Sequence, residues 1–214
     1  MEEKIKRIAE IYKEMVKNHS TYMEGWRNYP LIQKASDLFS EMPLRYGEEL
    51  TPYSRIFMLE MMMENLQEEQ MPRLSLKIRD YQQSLFGLIS DEDLEIDMGF
   101  DHYEGDRESY VRDLKIDDIE NHRQKLIDYI DLNISMEDWC RKNGRTLKFD
   151  PIERTEEWEN AIYEVEKRCY ELTKNKPKGM GFCFEYWNTK RNVLAKYGIE
   201  WRNPHIMNPR VMFD

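Results

Sequence analysis

The apolar residues of this chain recur with a period near 3.6, and this periodicity constrains the fold more than any other feature. Ile5, Ile8, Tyr12 and Met15 share one face of a helix predicted over residues 3–18. Similar spacing returns in four later segments, 31–42, 74–88, 116–130 and 158–172. It predicts an all-α fold: an irregular multi-helix domain of about seven or eight helices with at most one short β pairing. We expect at least half of the residues in helices and under about a tenth in strands, against a globular average near one third helix.

Local signals place several helix ends. Thr51-Pro52 and Thr155 predict N-termini, because a threonine side chain caps free amides and proline tolerates the first turn. Ser135 predicts another N-cap, for a short helix that Gly144 ends, and Gly198 follows the last long helix. The stretch 56–66 is apolar nearly all round and predicts a central buried helix, closed by Met71-Pro72. Residues 146–150 alternate and predict a short strand. The expected core includes Phe57, Met61, Leu66, Trp158, Ile162 and Val165.

An acidic segment at residues 90–106 interrupts the helical pattern. We expect a single helical domain over 1–214, which this segment divides into two lobes, 1–89 and 107–214, if it is a linker. Its carboxylates recur at short intervals that suit calcium or magnesium: Asp91, Asp93, Glu95, Asp97 and Asp101. An EF-hand that begins at Asp93 needs glycine where Met98 stands, so we expect a solvated surface loop without a tightly held metal.

Composition narrows the class of protein. A net charge of −10 favours a basic partner and weighs against nucleic acid. No apolar run is long enough to span a membrane, and the first residues lack a signal-peptide layout. Three scattered cysteines form neither a disulfide framework nor a zinc pair, which predicts a cytoplasmic protein. Nothing in the sequence calls for a cofactor.

The residues from Lys174 onward form a basic, aromatic module that follows an acidic body. This module has eight Lys/Arg against three Asp/Glu, and seven aromatic residues lie between Phe182 and Phe213. Aromatic and cationic side chains are enriched where proteins meet partners. The candidate binding residues are Tyr186, Trp187, Lys190, Arg191, Trp201 and Arg202. Three interpretations remain open: a clasp that packs on the body, a surface for a protein partner, or a nucleic-acid site.

Catalytic motifs are missing from the sequence. No phosphate-binding glycine loop, nucleophile elbow, HExxH or ExxH pattern occurs. Cys183 lies near a helix start, where thiols become reactive, but its apolar neighbours favour a core position, as for Cys140 and Cys169. His102 lies between Asp101 and Glu104, in the one local histidine–carboxylate cluster.

Two functions follow from these sequence features. The first is a non-enzymatic, acidic interaction protein, a binder or inhibitor of a basic protein partner, similar in role to the immunity proteins and antitoxins of bacteria. The second is a metal-dependent helical hydrolase that uses carboxylates of residues 91–106 with His102 or His122. No metal-ligand set is predicted from the spacing.

Overall fold

The computed structural model describes residues 1–47, 50–90, 93 and 117–213. These residues are 68% helical and contain no strand, which confirms the all-α class. The described ranges contain nine α-helices: α1 (Glu2–Ser20), α2 (Asn28–Ser40), α3 (Pro52–Met63), α4 (Pro72–Phe86), α5 (Asp117–Ile130), α6 (Met136–Lys142), α7 (Glu156–Thr173), α8 (Phe182–Ala195) and α9 (Pro204–Met207). This number is one more than the largest number of helices predicted from the sequence. The additional helix is the single turn of α9, which the Asn203 side chain caps by accepting the Ile206 amide.

The predicted helix starts depend on side-chain caps that the structure contains. Thr51 and Ser54 form a reciprocal capping box before α3, with Pro52 in its first turn. Ser135 accepts the Asp138 amide before α6, and Thr155 accepts the Trp158 amide before α7. Each cap satisfies an amide that lacks a partner within the helix. Gly144 and Gly198 have positive φ, as helix-ending glycines do.

Helices α1 to α4 enclose an aliphatic and methionine-rich core. Its buried members come from one face of each helix: Ile8, Ile11, Met15, Ile32, Ala35, Phe39, Leu59, Met62, Met63 and Ile78. The prediction for Phe57 is wrong, since its side chain is 54% exposed while its neighbour Ile56 is buried. Because α3 is apolar nearly all round, its sequence has no helical periodicity. The pattern alone therefore does not show which face of α3 meets the core. Met61 is half-buried.

A second core lies between α7, α8 and the segment after α8. Trp158, Ile162 and Val165 are fully buried there, as predicted. Trp26, from the 3₁₀ turn before α2, and Tyr29, from the first turn of α2, belong to the same cluster, which therefore joins distant parts of the sequence. Leu66 is half-buried and packs against both cores.

Two segments differ from the sequence prediction in local structure. Helix α3 ends at Met63 rather than at Met71, and a 3₁₀ turn, Glu68–Gln70, precedes α4. Residues 146–150 form no strand, and the Lys148 amide and carbonyl instead bond the Asn208 side chain at 2.9 and 2.8 Å. The Asn208 side chain thus takes the backbone hydrogen bonds that a neighbouring strand would otherwise form with Lys148.

Most of the acidic segment lies outside the described residues. Asp93 is described, and it is buried rather than solvated: it accepts hydrogen bonds from Arg45 at 2.5 and 2.8 Å and from the Ser90 amide at 2.8 Å. The expectation of a solvated loop is therefore wrong at this residue, because Arg45 compensates the buried charge. None of the helices within the described ranges combines the length and apolarity that a membrane crossing requires.

Candidate functional site

Three of the six predicted binding residues lie on one face of α8. Tyr186, Trp187 and Lys190 project from the first three turns of this helix, and all three line a pocket of about 580 Å³. Arg191 is exposed and is not among the residues that line this pocket. Other lining residues come from the segment between α1 and α2 and from the first turn of α2. We call this cavity the aromatic pocket, and its rings are those of Tyr22, Trp26, Tyr29, Phe182, Tyr186 and Trp187.

A buried ion pair lies in the wall of the aromatic pocket. The Lys190 ammonium donates to Glu166 Oε1 at 2.6 Å, and the Tyr186 hydroxyl donates to Glu166 Oε2. Lys190 Nζ also lies 4.9 Å from the Trp158 ring centroid and 5.3 Å from that of Trp201. Lys190 is 7% exposed, so the carboxylate and the two indole faces replace its hydration.

Trp201 and Arg202 support the pocket without lining it. The Trp201 indole N–H donates to Glu153 Oε1 at 2.8 Å, and its ring lies 6.0 Å from Trp158. Arg202 bonds both carboxylate oxygens of Asp150, each at 3.1 Å, through its guanidinium. These contacts are those of a clasp, the first of the three interpretations of the module. The clasp is partial, since Ile206, Val211 and Met212 are exposed.

Trp187 separates the pocket from a small aromatic cluster. Its ring meets those of Phe184 and Phe213 in edge-on geometry, at 5.5 and 5.1 Å between centroids. His205 contacts the same two phenylalanines at 5.4 and 6.3 Å. This histidine therefore serves as an aromatic packing partner and is not among the residues that line the pocket.

Two tyrosines of the pocket, Tyr29 and Tyr186, have a pKa raised above its ordinary value. Burial raises the pKa of Tyr29, and the negative charge of Glu166 raises it further. Burial and the same carboxylate also raise the pKa of Tyr186. Cys169, behind the pocket on α7, has its pKa raised to about 12 by burial and by Glu166. These groups are hydrogen-bond donors or apolar surface rather than bases or nucleophiles.

Cys183 differs from the expected core cysteine. It is half-exposed and lines the aromatic pocket, whereas Cys140 and Cys169 are buried as expected. No histidine occurs among the described residues that line the pocket. The described lining therefore places no histidine beside the Cys183 thiol.

A second pocket of about 440 Å³ adjoins the first, and the turn Gln67–Gln70 lines both. We call it the charged pocket. Its remaining lining residues are His122, Lys125, Leu126 and Arg145.

Glu68 and Glu69 dominate the charged pocket. Glu68 bonds the buried Arg79 guanidinium and His122 Nδ1, the latter at 3.1 Å, while Glu69 pairs with Lys125 and Arg145. Burial alone would raise the pKa of Glu68, but the hydrogen bonds from His122 and Arg79 outweigh it and hold the pKa below its ordinary value.

Only one of the two histidines of the hydrolase hypothesis lies within the described residues. His102 lies outside the described residues. His122 Nδ1 faces Glu68 and lies 3.3 Å from an Arg79 nitrogen, whose positive charge opposes a metal cation there. Among the described residues, no three histidine, cysteine or carboxylate side chains meet in a way that holds a metal.

The sequence analysis did not identify two segments that complete the aromatic pocket, residues 22–29 and 67–70. The aromatic residues Tyr22, Trp26 and Tyr29 follow one another at short spacing, which is a usable signal in retrospect. Nothing in the local sequence indicates that Gln67 and Gln70 face the same cavity, because this pairing depends on where α3 ends. No protein-family model matches the chain, and no curated protein and no solved structure is significantly similar to it.

Proposed function

We propose that this protein is a non-enzymatic binding protein that holds a protein partner at the aromatic pocket. The observation that carries the proposal is the gathering of Tyr186, Trp187 and Lys190 with the rings of Trp26 and Tyr29 around one cavity. Protein interfaces concentrate their binding energy in such desolvated aromatic positions. The cavity size also falls within the range of about 300–1,000 Å³ typical of specific sites.

The rim of the pocket supports a macromolecular partner. Tyr22 and Met180 line it and are 62% and 93% exposed. Large apolar side chains grouped at the mouth of a cavity mark interaction surfaces, because water solvates them poorly. Free cysteines support a cytoplasmic location for this interaction.

The proposed preference for a basic partner depends on acidic residues outside the aromatic pocket. The residues outside the described ranges carry 12 acidic and 3 basic side chains, so the described residues carry 30 and 29. We propose that this excess acidity, mostly within residues 91–116, accelerates the approach of a basic partner, as in immunity or antitoxin proteins. Association that does not slow between low and high salt contradicts this steering role.

Selection of short random peptides on the immobilised protein tests the pocket. Affinities of the selected peptides are then measured by calorimetry for the parent, Met180→Ser and Met212→Ser. Met212 is 96% exposed and is absent from the pocket lining, so it controls for the loss of an exposed methionine side chain. We expect Met180→Ser alone to weaken binding. If no peptide binds, or if both variants behave alike, the aromatic pocket is not the recognition site.

A further inference from the structure

The charges of the aromatic pocket determine which group it can receive. Its charged lining residues are Glu166, Lys178 and Lys190. Both Glu166 oxygens accept hydrogen bonds, from Lys190 and from Tyr186, so its negative charge is compensated within the protein. The Lys178 ammonium lies 4.7 Å from the Tyr22 ring centroid and has no ion pair among the described residues. A cation therefore faces the entrance, and an anionic group is favoured there.

A further donor belongs to Trp26, one of the residues that line the same cavity. The Trp26 indole nitrogen is buried and has no acceptor among the described residues, although indole N–H groups normally find one. Helix α8 begins at Phe182 in the pocket wall, but the Phe182 and Phe184 amides already donate to the Gly179 and Gly181 carbonyls. The attraction for an anion therefore rests on Lys178 and on the Trp26 indole N–H.

One acceptor accompanies these donors. The Gln70 side-chain oxygen is buried and has no donor among the described residues. An occupant that satisfies this pocket thus combines an aromatic ring for the walls, a carboxylate for the donors and an N–H for Gln70. A peptide segment has all three, since its backbone provides the N–H.

A bound peptide also covers side chains at the rim of the pocket that a small molecule would leave exposed to water. A ligand confined to the cavity leaves the Tyr22 and Met180 side chains exposed at the rim, whereas the residues flanking an inserted side chain pack over them. We infer that the aromatic pocket receives an aromatic side chain with an adjacent carboxylate, presented by a polypeptide segment of the partner. This inference rests on the proposed function, because it names the chemistry of the group that enters the same pocket.

The test compares synthetic peptides that differ in charge beside one tryptophan. One peptide ends in Trp with a free carboxylate, a second is its C-terminal amide, and two more place an internal Trp before Asp or before Lys. We expect the two carboxylate-bearing peptides to bind at least about tenfold more tightly than the amide and the Trp-Lys peptide. The free-terminus and Trp-Asp peptides distinguish a chain end from an internal acidic motif. Equal or tighter binding of the Trp-Lys peptide overturns the inference.

The variants Lys178→Glu and Lys174→Glu isolate the local charge. Both lysines are exposed and both changes alter net charge equally, but only Lys178 lines the pocket. We expect Lys178→Glu to remove the preference for carboxylate peptides and Lys174→Glu to retain it. Trp26→Phe removes the N–H and keeps a ring, so it should weaken the carboxylate peptides selectively. Unchanged preference in Lys178→Glu contradicts the assignment.

Cys183 offers an independent readout of occupancy. It lines the pocket, while the other two cysteines are buried, so a thiol reagent reacts first at Cys183. A bound carboxylate peptide should slow this reaction severalfold, and indole-3-propionate alone should protect far less. Equal protection by indole-3-propionate assigns the site to a small molecule and refutes the polypeptide source. Peptides that bind and depend on Met180 but ignore the adjacent charge leave the proposed function standing and refute only this inference.

Discussion

The two pockets on either side of the Gln67–Gln70 turn use charge in opposite ways. In the charged pocket, Glu68 and Glu69 meet cationic partners from α4, α5 and the segment after α6, so the protein satisfies its own charges. In the aromatic pocket, the one carboxylate among the described lining residues is compensated internally, Lys178 has no ion pair among the described residues, and the Trp26 indole N–H is buried without an acceptor. Under the proposed function, donors without partners beside aromatic walls are a better guide to recognition than a concentration of charged residues.

Among the tests of this comparison, deletion of residues 199–214 should cause the largest loss of stability. Ile199 and Trp201 are buried against the wall of the aromatic pocket, and each contributes about 2–3 kcal/mol by area. Loss of Arg202 also leaves Asp150, a buried carboxylate, without its cation. We expect a total loss of about 5 kcal/mol or more, seen as a large drop in melting temperature. A truncated protein that keeps its melting temperature shows that the segment is a recognition arm rather than a clasp.

Trp158→Ala and Phe57→Ala compare a buried with an exposed aromatic. Trp158 is fully buried between the aromatic pocket and Trp201, so its truncation should cost about 3–5 kcal/mol. Phe57 is half-exposed on α3, and its truncation should cost less than about 1 kcal/mol. Denaturant unfolding measures both. Similar costs for the two variants show that the face of α3 against the core is wrongly assigned.

Lys190→Met and Lys125→Met compare one ion pair from each pocket. The Lys190 pair with Glu166 is buried, so removal of the ammonium leaves an uncompensated carboxylate and should cost about 3 kcal/mol. The Lys125 pair with Glu69 is partly exposed, and its loss should cost less than about 1 kcal/mol. Glu166→Gln in the Lys190→Met background should recover part of the larger loss. Equal effects from the two lysines remove the electrostatic contrast between the pockets.

The smallest expected effect is the pH dependence of Glu68→Gln. The folded-state pKa of Glu68 lies below its ordinary value of 4.5, so its carboxylate stabilises the fold above that pH and loses this effect as pH falls through the folded pKa. We expect Glu68→Gln to cost about 1–2 kcal/mol at pH 7 and progressively less as pH falls from 4.5 through the folded pKa. Thermal melts across this range measure the difference. A cost that stays constant with pH shows that the loss is steric rather than ionic.

The candidate site was only half accessible to sequence reasoning. Tyr186, Trp187 and Lys190 were predicted because aromatic and basic residues interleave on one helix, and that local pattern survives folding. Trp201 and Arg202 carried the same signal but contact Glu153 and Asp150, which lie about fifty residues earlier in the chain. Composition could not distinguish these two roles, because an arginine that binds a partner and one that binds its own protein have the same sequence appearance.

The sequence by itself determined the helical class, the caps at Thr51, Ser135 and Thr155, and the buried face of α7. Each depends on residues within a few positions of one another, so local spacing is enough information. The tertiary structure decided that Phe57 faces water, that Asp93 is buried against Arg45, and that Trp26 and Gln70 share a pocket with α8. These outcomes depend on contacts between segments 40 to 160 residues apart, and the periodicity of one helix carries no record of which other segment packs against it.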